Sequence, residues 1–297
     1  MTDVSHVYKY TPFRKEFFDN FYLRCTPRSA LNDPFEPIPS LQYVAHYIAN
    51  YGDHLNPEDA TQNKVLEKLN ADPDLYSEYT RPFERMGIIS FSEGKEDDVM
   101  WGHYADNHRG MVIEFDTRSS MFAEKTGVDA LQEFRRVKYR QHRPRSLGTQ
   151  NVNLFGMPAQ TLDEHSLIFT KSDRWSYEME HRLICLLQNA DDILCSEDHY
   201  KTNLQAQVSE TVKVHGNSNL LSLKGFKGQW SDPNLLCMIK VPEGAITSVT
   251  CGTQMSAEDK NFVKAKAKQH GFGYYEASID PDAYRLNFSW SDTNAGH

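Results

Sequence analysis

Residues 175–187 read WSYEMEHRLICLL, and this stretch limits the fold more than any other. Glu178, Glu180 and Arg182 stand at every second position, and an apolar run from Leu183 to Leu187 follows at once. On an extended backbone, side chains two apart share a face. The three charges therefore project together, with Met179 and Leu183 on the other side. A near-continuous apolar run belongs to a strand covered on both faces. The strand is thus expected to dive into a two-sided core, with an acidic pair at its entrance. Carboxylates held beside buried material have shifted pKa values and fixed orientation, as acid–base or charge-stabilising work requires. The ordinary alternative is that Arg182 pairs with one glutamate on a solvated edge.

Further strands are expected at HVYKYT, GIISFS (87–92), GMVIEFD, FRRVKYR, LCMIKVP, AITSVTCG, GYYEASI and YRLNFSW. LNDPFEP (31–37) must be a loop, since two prolines flank a short polar turn. Helical spacing at Leu41, Val44, Ala45 and Ile48, then Val65, Leu66 and Leu69, predicts helices, and another ends near Pro82. DDVMWGHYAD opens a short helix capped by Asp97 or Asp98. Residues 158–171 read as helix. SAEDKNFVKAKAKQHG has a capping-box pattern in Ser256 and Asp259, and Gly271 stands ready to end it. Strands come as neighbours more often than in a βαβ rhythm. This favours an α+β fold with a mixed, largely antiparallel β core and peripheral helices. No linker divides the chain, so residues 1–297 are expected to form a single catalytic domain. It would carry a helical insertion at about 38–86 and a short disordered tail, SDTNAGH. Residues 189–234 are the least readable part.

At 297 residues the chain can bury a core without disulfides or metal. Five scattered cysteines, Cys25, Cys185, Cys195, Cys237 and Cys251, fit a reducing cytoplasm better than a disulfide framework or a zinc site. No signal-peptide pattern and no membrane-spanning run is present, so a cytoplasmic protein with no membrane partner is expected. A net charge of −9 argues against a surface that binds nucleic acid throughout. RRVKYRQHRPR (135–145) is locally basic; it reads either as a phosphate-contacting stretch or as a guarded strand edge.

Ser90 and Ser92 alternate with Phe91 and share a strand face, from which they can bond a ligand or a neighbouring carboxylate. Trp101, His103 and Tyr104 fall within two helical turns and can wall a flat ligand, or simply pack the helix. Asn32 and Asp33 lie in a loop able to close over a ligand. No P-loop, Rossmann fingerprint, nucleophile elbow or zinc motif is present, and no metal is expected.

Four segments taken in order are VYKYT, LNDPFE, ISFSE…MWGHYADNHRGMVIEF and KSDRWSYEMEHRLI. The series resembles an uncharacterised bacterial domain family. The order of aromatic strand, serine-containing strand and E-x-E at a strand start also resembles the ADP-ribosyltransferase fold, with its split sheets. That second resemblance implies NAD as a substrate and a glycosyl-transfer reaction. It implies that Glu180 grips the ribose 2′-hydroxyl and that Glu178 orients or deprotonates the acceptor. Ser90 and Ser92 match the serine motif, and Tyr8, Lys9 and Tyr10 occupy the strand that meets NAD. Phe91, Trp101 and Tyr104 would sandwich nicotinamide or adenine, and Arg182 would hold a glutamate or bind phosphate. The sequence departs from the pattern in two places: Lys9, with Arg14 just beyond, stands where arginine-type members have arginine, and the serine motif reads Ser-Phe-Ser.

The function so implied is that of an NAD-dependent ADP-ribosyltransferase, a bacterial toxin or phage-defence effector modifying nucleic acid (RNA or DNA) or protein, with an antitoxin protein as partner. Two other classes stay open. A metal-dependent nuclease would use carboxylates from Asp97, Asp98, Glu114, Asp116, Glu178 and Glu180, with Lys171 assisting. A noncatalytic module would use the aromatics as a binding surface.

Overall fold

In the computed structural model, residues 4–36, 38–51, 61–125, 131–145, 167–208, 213–214, 220–223 and 225–290 are described. The tail at 291–297 and most of 158–171 lie outside them. Fifteen strands occur among the described residues. They are β1 (His6–Thr11), β2 (Tyr22–Pro27), β3 (Met86–Ser92), β4 (Met111–Asp116), β5 (Gln132–Arg136), β6 (Lys138–Arg140), β7 (Thr170–Ser172) and β8 (Glu180–Leu186). The later ones are β9 (Asp192–Ser196), β10 (Lys213–Val214), β11 (Leu220–Ser222), β12 (Leu236–Lys240), β13 (Ile246–Cys251), β14 (Gly273–Ile279) and β15 (Leu286–Trp290). The helices are α1 (Phe17–Asn20), α2 (Leu41–Tyr51), α3 (Gln62–Ala71), α4 (Pro73–Thr80), α5 (Asp98–Tyr104), α6 (Glu197–His199) and α7 (Ala257–His270).

Thirteen strands form one hydrogen-bonded sheet, and β6 and β7 make a separate parallel pair. Within the large sheet only β13 and β14 run parallel, joined through α7. The fold is therefore α+β with a largely antiparallel core, and the sheet does not close into a barrel. The α7 signals act as read. Ser256 accepts from Asp259 N at 3.1 Å, and Gly271 ends the helix at φ 76°. Helices α2 and α3 pack on one another through Val44, Ala45, Ile48, Val65 and Leu69, and α4 adds Leu75, Tyr76 and Tyr79. The described end of the 158–171 segment is not the expected helix. Residues Leu167–Phe169 form a single 3-10 turn, and Thr170–Ser172 is the strand β7.

The sheet forks at β3. One edge of β3 is fully paired with β8, in register from Met86↔Leu186 to Ser92↔Glu180. The other edge is shared. Strand β2 meets it at Thr26↔Ile88 and Pro27↔Gly87, whereas β1 meets it at Tyr8↔Ser92. Between those contacts β1 and β2 part company. Lys9 Nζ reaches into the gap and donates to the Ser90 carbonyl at 2.8 Å. On its far side β8 pairs with β5. Every residue of β8 is buried, its polar start included. Arg135 stands directly opposite Arg182, an unfavourable like-charge pairing. It is relieved because Arg135 turns to Glu133 and Arg182 to two other carboxylates.

Helix α5 begins with Asp97 Oδ1 accepting from Met100 N at 3.0 Å. It ends in three consecutive left-handed residues, Asp106 (φ 48°), Asn107 (51°) and His108 (65°). Asp and Asn tolerate this conformation better than most residues. The turn is tied by Gly110 N donating to the Ala105 carbonyl at 2.7 Å. A side chain at Gly110 would collide with the carbonyls of Thr11 and Ala105. Much of HYADNHRG is thus a device that feeds α5 into β4. Among the described residues no helix is long and apolar enough to cross a membrane. All five cysteines are buried free thiols.

Candidate active site

The register of β3 on β8 sets Ser90 opposite Arg182 and Ser92 opposite Glu180, so all four lie on one sheet face. That face looks into a cleft of about 220 Å³ beneath the fork. Strand β1 supplies Tyr8, Lys9 and Tyr10 to its lining; β2 supplies Arg24 and Thr26. The LNDPFE loop supplies Asn32, Asp33 and Glu36, and α5 supplies Tyr104.

Glu178 does not stand on the strand, contrary to the alternation read from the sequence. It ends the 3-10 segment Asp173–Glu178, and Met179, left-handed at φ 42°, turns the chain into β8. The two carboxylates still converge, because Lys171 bridges them. Its Nζ lies 2.6 Å from Glu178 Oε2 and 3.1 Å from Glu180 Oε2. Tyr104 donates its hydroxyl to Glu178 Oε1 at 2.5 Å. Arg182 grips Glu180 with two parallel bonds, Nε to Oε1 at 2.9 Å and Nη2 to Oε2 at 3.0 Å. The same guanidinium pairs with Glu36 Oε1 at 2.6 Å and donates to the Ile168 carbonyl. Backbone N–H of Glu180 donates to the Tyr139 hydroxyl at 2.8 Å.

The electrostatics follow from this packing. Burial alone would push the Glu180 carboxyl up. Arg182 and Lys171, with hydrogen bonds from Arg182 and the Ser90 hydroxyl, outweigh it and hold its pKa down at about 2. Lys171 is desolvated, yet Glu180 and Glu36 keep it above the usual lysine value. Burial raises the Glu36 carboxyl, and Arg182 and Lys171 only partly offset this. Burial lowers Lys9 to about 8 against the pull of Glu180 and Glu178. The Tyr104 hydroxyl is raised by burial and by its bond to Glu178.

A pH dependence follows. The folded pKa of Glu180, about 2, lies below its ordinary 4.5, so its contribution to stability is complete above about pH 4.5. It is lost as pH falls through 2. The span corresponds to roughly 3 kcal/mol. Urea unfolding at pH 7 and pH 3 is expected to show a smaller loss of stability for Glu180→Gln than for the natural protein.

Two expected ligand walls are corrected. The ring of Phe91 faces away from Ser90 and Ser92 and packs 5.4 Å from both Phe115 and Phe122, with only 2% of the residue exposed. Trp101 is fully buried, edge-on to Tyr10, with its Nε1 donating to the Lys95 carbonyl at 2.8 Å. Neither ring has an open face for a base. His103 is exposed outside the cleft, 3.3 Å from the Tyr177 hydroxyl. The carboxylates considered for metal are dispersed: Asp97 caps α5, Asp116 pairs with Arg118, and Glu114 takes hydroxyls from Tyr8 and Ser248. Among the described residues no group of three or more His, Cys, Asp or Glu is arranged to hold a metal ion. Glu36 and Tyr139 were not foreseen, and Lys171 was read only as an aid to metal chemistry. The signal for two of them was there, since Glu36 ends LNDPFE and Lys171 begins KSDRWSYEME.

Residues 100–183 match a family model described as a protein of unknown function, DUF2971. The matched segment runs from Met100, within α5, to Leu183 and takes in Tyr104, Lys171, Glu178, Glu180 and Arg182. It covers less than a third of the chain and fits an uncharacterised family. No curated protein and no solved structure matches the chain.

Proposed function

We propose that this protein is an NAD-dependent ADP-ribosyltransferase, a toxin or defence effector that modifies a macromolecule. The observation that carries the reading is the Glu180 carboxylate, buried yet ionised, fixed by Arg182 and Lys171 on the wall of a cleft shared with Glu178, Ser90 and Tyr8. Cleaving a nicotinamide–ribose bond passes through an oxocarbenium-like state, as glycoside cleavage does. A preorganised anion stabilises such a charge without reorganising at the moment of reaction. In this reading Glu180 accepts from the ribose 2′-hydroxyl. The bond from C1′ to the nicotinamide nitrogen breaks, and its electron pair leaves with neutral nicotinamide. The acceptor nucleophile then bonds to C1′, and its proton passes to Glu178.

A cleft of about 220 Å³ is smaller than the ~300–1,000 Å³ of typical ligand sites, so it suits the nicotinamide–ribose end of NAD rather than the whole dinucleotide. Tyr8, Tyr10 and Tyr104 are the tyrosines that line that space. Lys9 and Arg24 supply cationic character on the fork side. An effector of this kind would be held in check by an inhibitory partner protein.

The test is incubation with NAD labelled in its adenylate half, together with cell extract. Label is expected on a macromolecule, in step with nicotinamide release. Absence of both label and nicotinamide above the buffer rate would remove the reading.

A further inference from the structure

A second cavity, of about 340 Å³, adjoins the first and shares Asp33, Glu36 and Lys171 with it. Its other side is cationic, formed by Arg140, Arg143 and Arg174. The chain as a whole carries −9, so this basic lining is local and not a general property of the surface. Arg140 ends β6, which runs beside β7 with Arg140 in register with Ser172. Arg174 follows one turn later, its N–H bonded to the Ser172 hydroxyl. Arg143 donates to the Ile38 carbonyl, which ties the basic segment to the chain just after the LNDPFE loop. Earlier in the basic stretch, Arg135 pairs with Glu133 and Arg136 with Glu93.

The cavity also holds Phe35, 61% exposed. Its position is built rather than incidental. Asp33 Oδ1 accepts from Phe35 N at 2.9 Å, so the loop that sends Glu36 inward turns Phe35 outward. An aromatic face among arginines is the combination that binds single-stranded nucleic acid: bases stack on the ring and cations follow the phosphates. Across the shared wall stands Lys171, bonded to both Glu178 and Glu180.

We infer that this cationic cavity binds single-stranded nucleic acid and presents it to the neighbouring carboxylates as the acceptor. The acceptor role rests on the transferase reading; the binding does not. Phe35 stacks on one base, and Arg140, Arg143 and Arg174 hold the adjoining phosphates. Glu36, already paired with Arg182, adds little repulsion at the wall.

The test uses fluorescein-labelled 12-nucleotide RNA and DNA single strands, with a duplex of the same sequence, and the full chain without NAD. Fluorescence anisotropy is expected to show binding that weakens steeply with salt and prefers single strands to duplex. Phe35→Ala is expected to weaken binding roughly tenfold with the salt slope unchanged. Replacing Arg140, Arg143 and Arg174 together by Ala is expected to flatten the slope of log K against log salt by about 2. The single charge reversal Arg174→Glu serves as a second variant, flattening the slope while the thermal midpoint stays at the wild-type value. Binding unchanged in all variants, or no binding by the natural protein, overturns the inference. Nicotinamide release with no oligonucleotide binding sinks the cavity alone. Oligonucleotide binding that responds to these variants, with no NAD cleavage, sinks the transferase reading alone.

Discussion

Glu180→Gln is expected to slow nicotinamide release from NAD by about 10²–10³-fold with KM little changed. The substitution keeps the shape and removes one charge. In the natural protein that carboxylate is ionised across the physiological range and held by two bonds from Arg182. Its contact with a ribose hydroxyl would strengthen only as positive charge develops on the sugar, so the loss falls on kcat. Glu178→Gln is expected to separate the two halves of the reaction, keeping slow NAD hydrolysis while losing transfer to the macromolecule. Glu180→Gln with natural activity would leave the proposed chemistry without its central group.

Arg182→Met is expected to destabilise the fold by about 3–5 kcal/mol, read from urea unfolding. Methionine fills much of the volume, so the cost is electrostatic. Arg182 is 1% exposed and pairs with two buried carboxylates, Glu180 and Glu36. Without it Lys171 is left as the ion-pair partner of all three carboxylates, Glu36, Glu178 and Glu180, among the described residues. Adding Glu36→Gln to Arg182→Met removes one stranded charge and is expected to recover part of the loss. Lysine at this position is not expected to substitute, since a single ammonium cannot make the parallel pair of bonds to Glu180.

Much of this arrangement could be read from the chain. Alternation at Ser90, Phe91 and Ser92 correctly assigned two faces to β3, and the run after Arg182 correctly announced a buried strand. The cap and stop of α7 were local signals and acted locally. What escaped was non-local or depended on backbone twist. Glu178 meets Glu180 through a left-handed methionine, a conformation that residue type does not advertise. The forking of β1 and β2 over one edge of β3 is a pairing choice between strands far apart in sequence. Glu36 finds Arg182 at a separation of 146 positions, beyond any periodicity. The misreading of Trp101 has a simpler cause. Aromatics in a polar-looking helix suggested a ligand wall, and the inward side of α5 claimed that ring for the core.

The guanidinium of Arg182 joins the innermost strand to the segment at the cleft's rim. To swing Asp33–Glu36 aside as a lid would carry Glu36 away and leave half the guanidinium unpaired in a dry interior, and such an event belongs to slow, near-global breathing. On the transferase reading proposed above, a substrate would enter through a standing aperture, and turnover would not be timed by a gate.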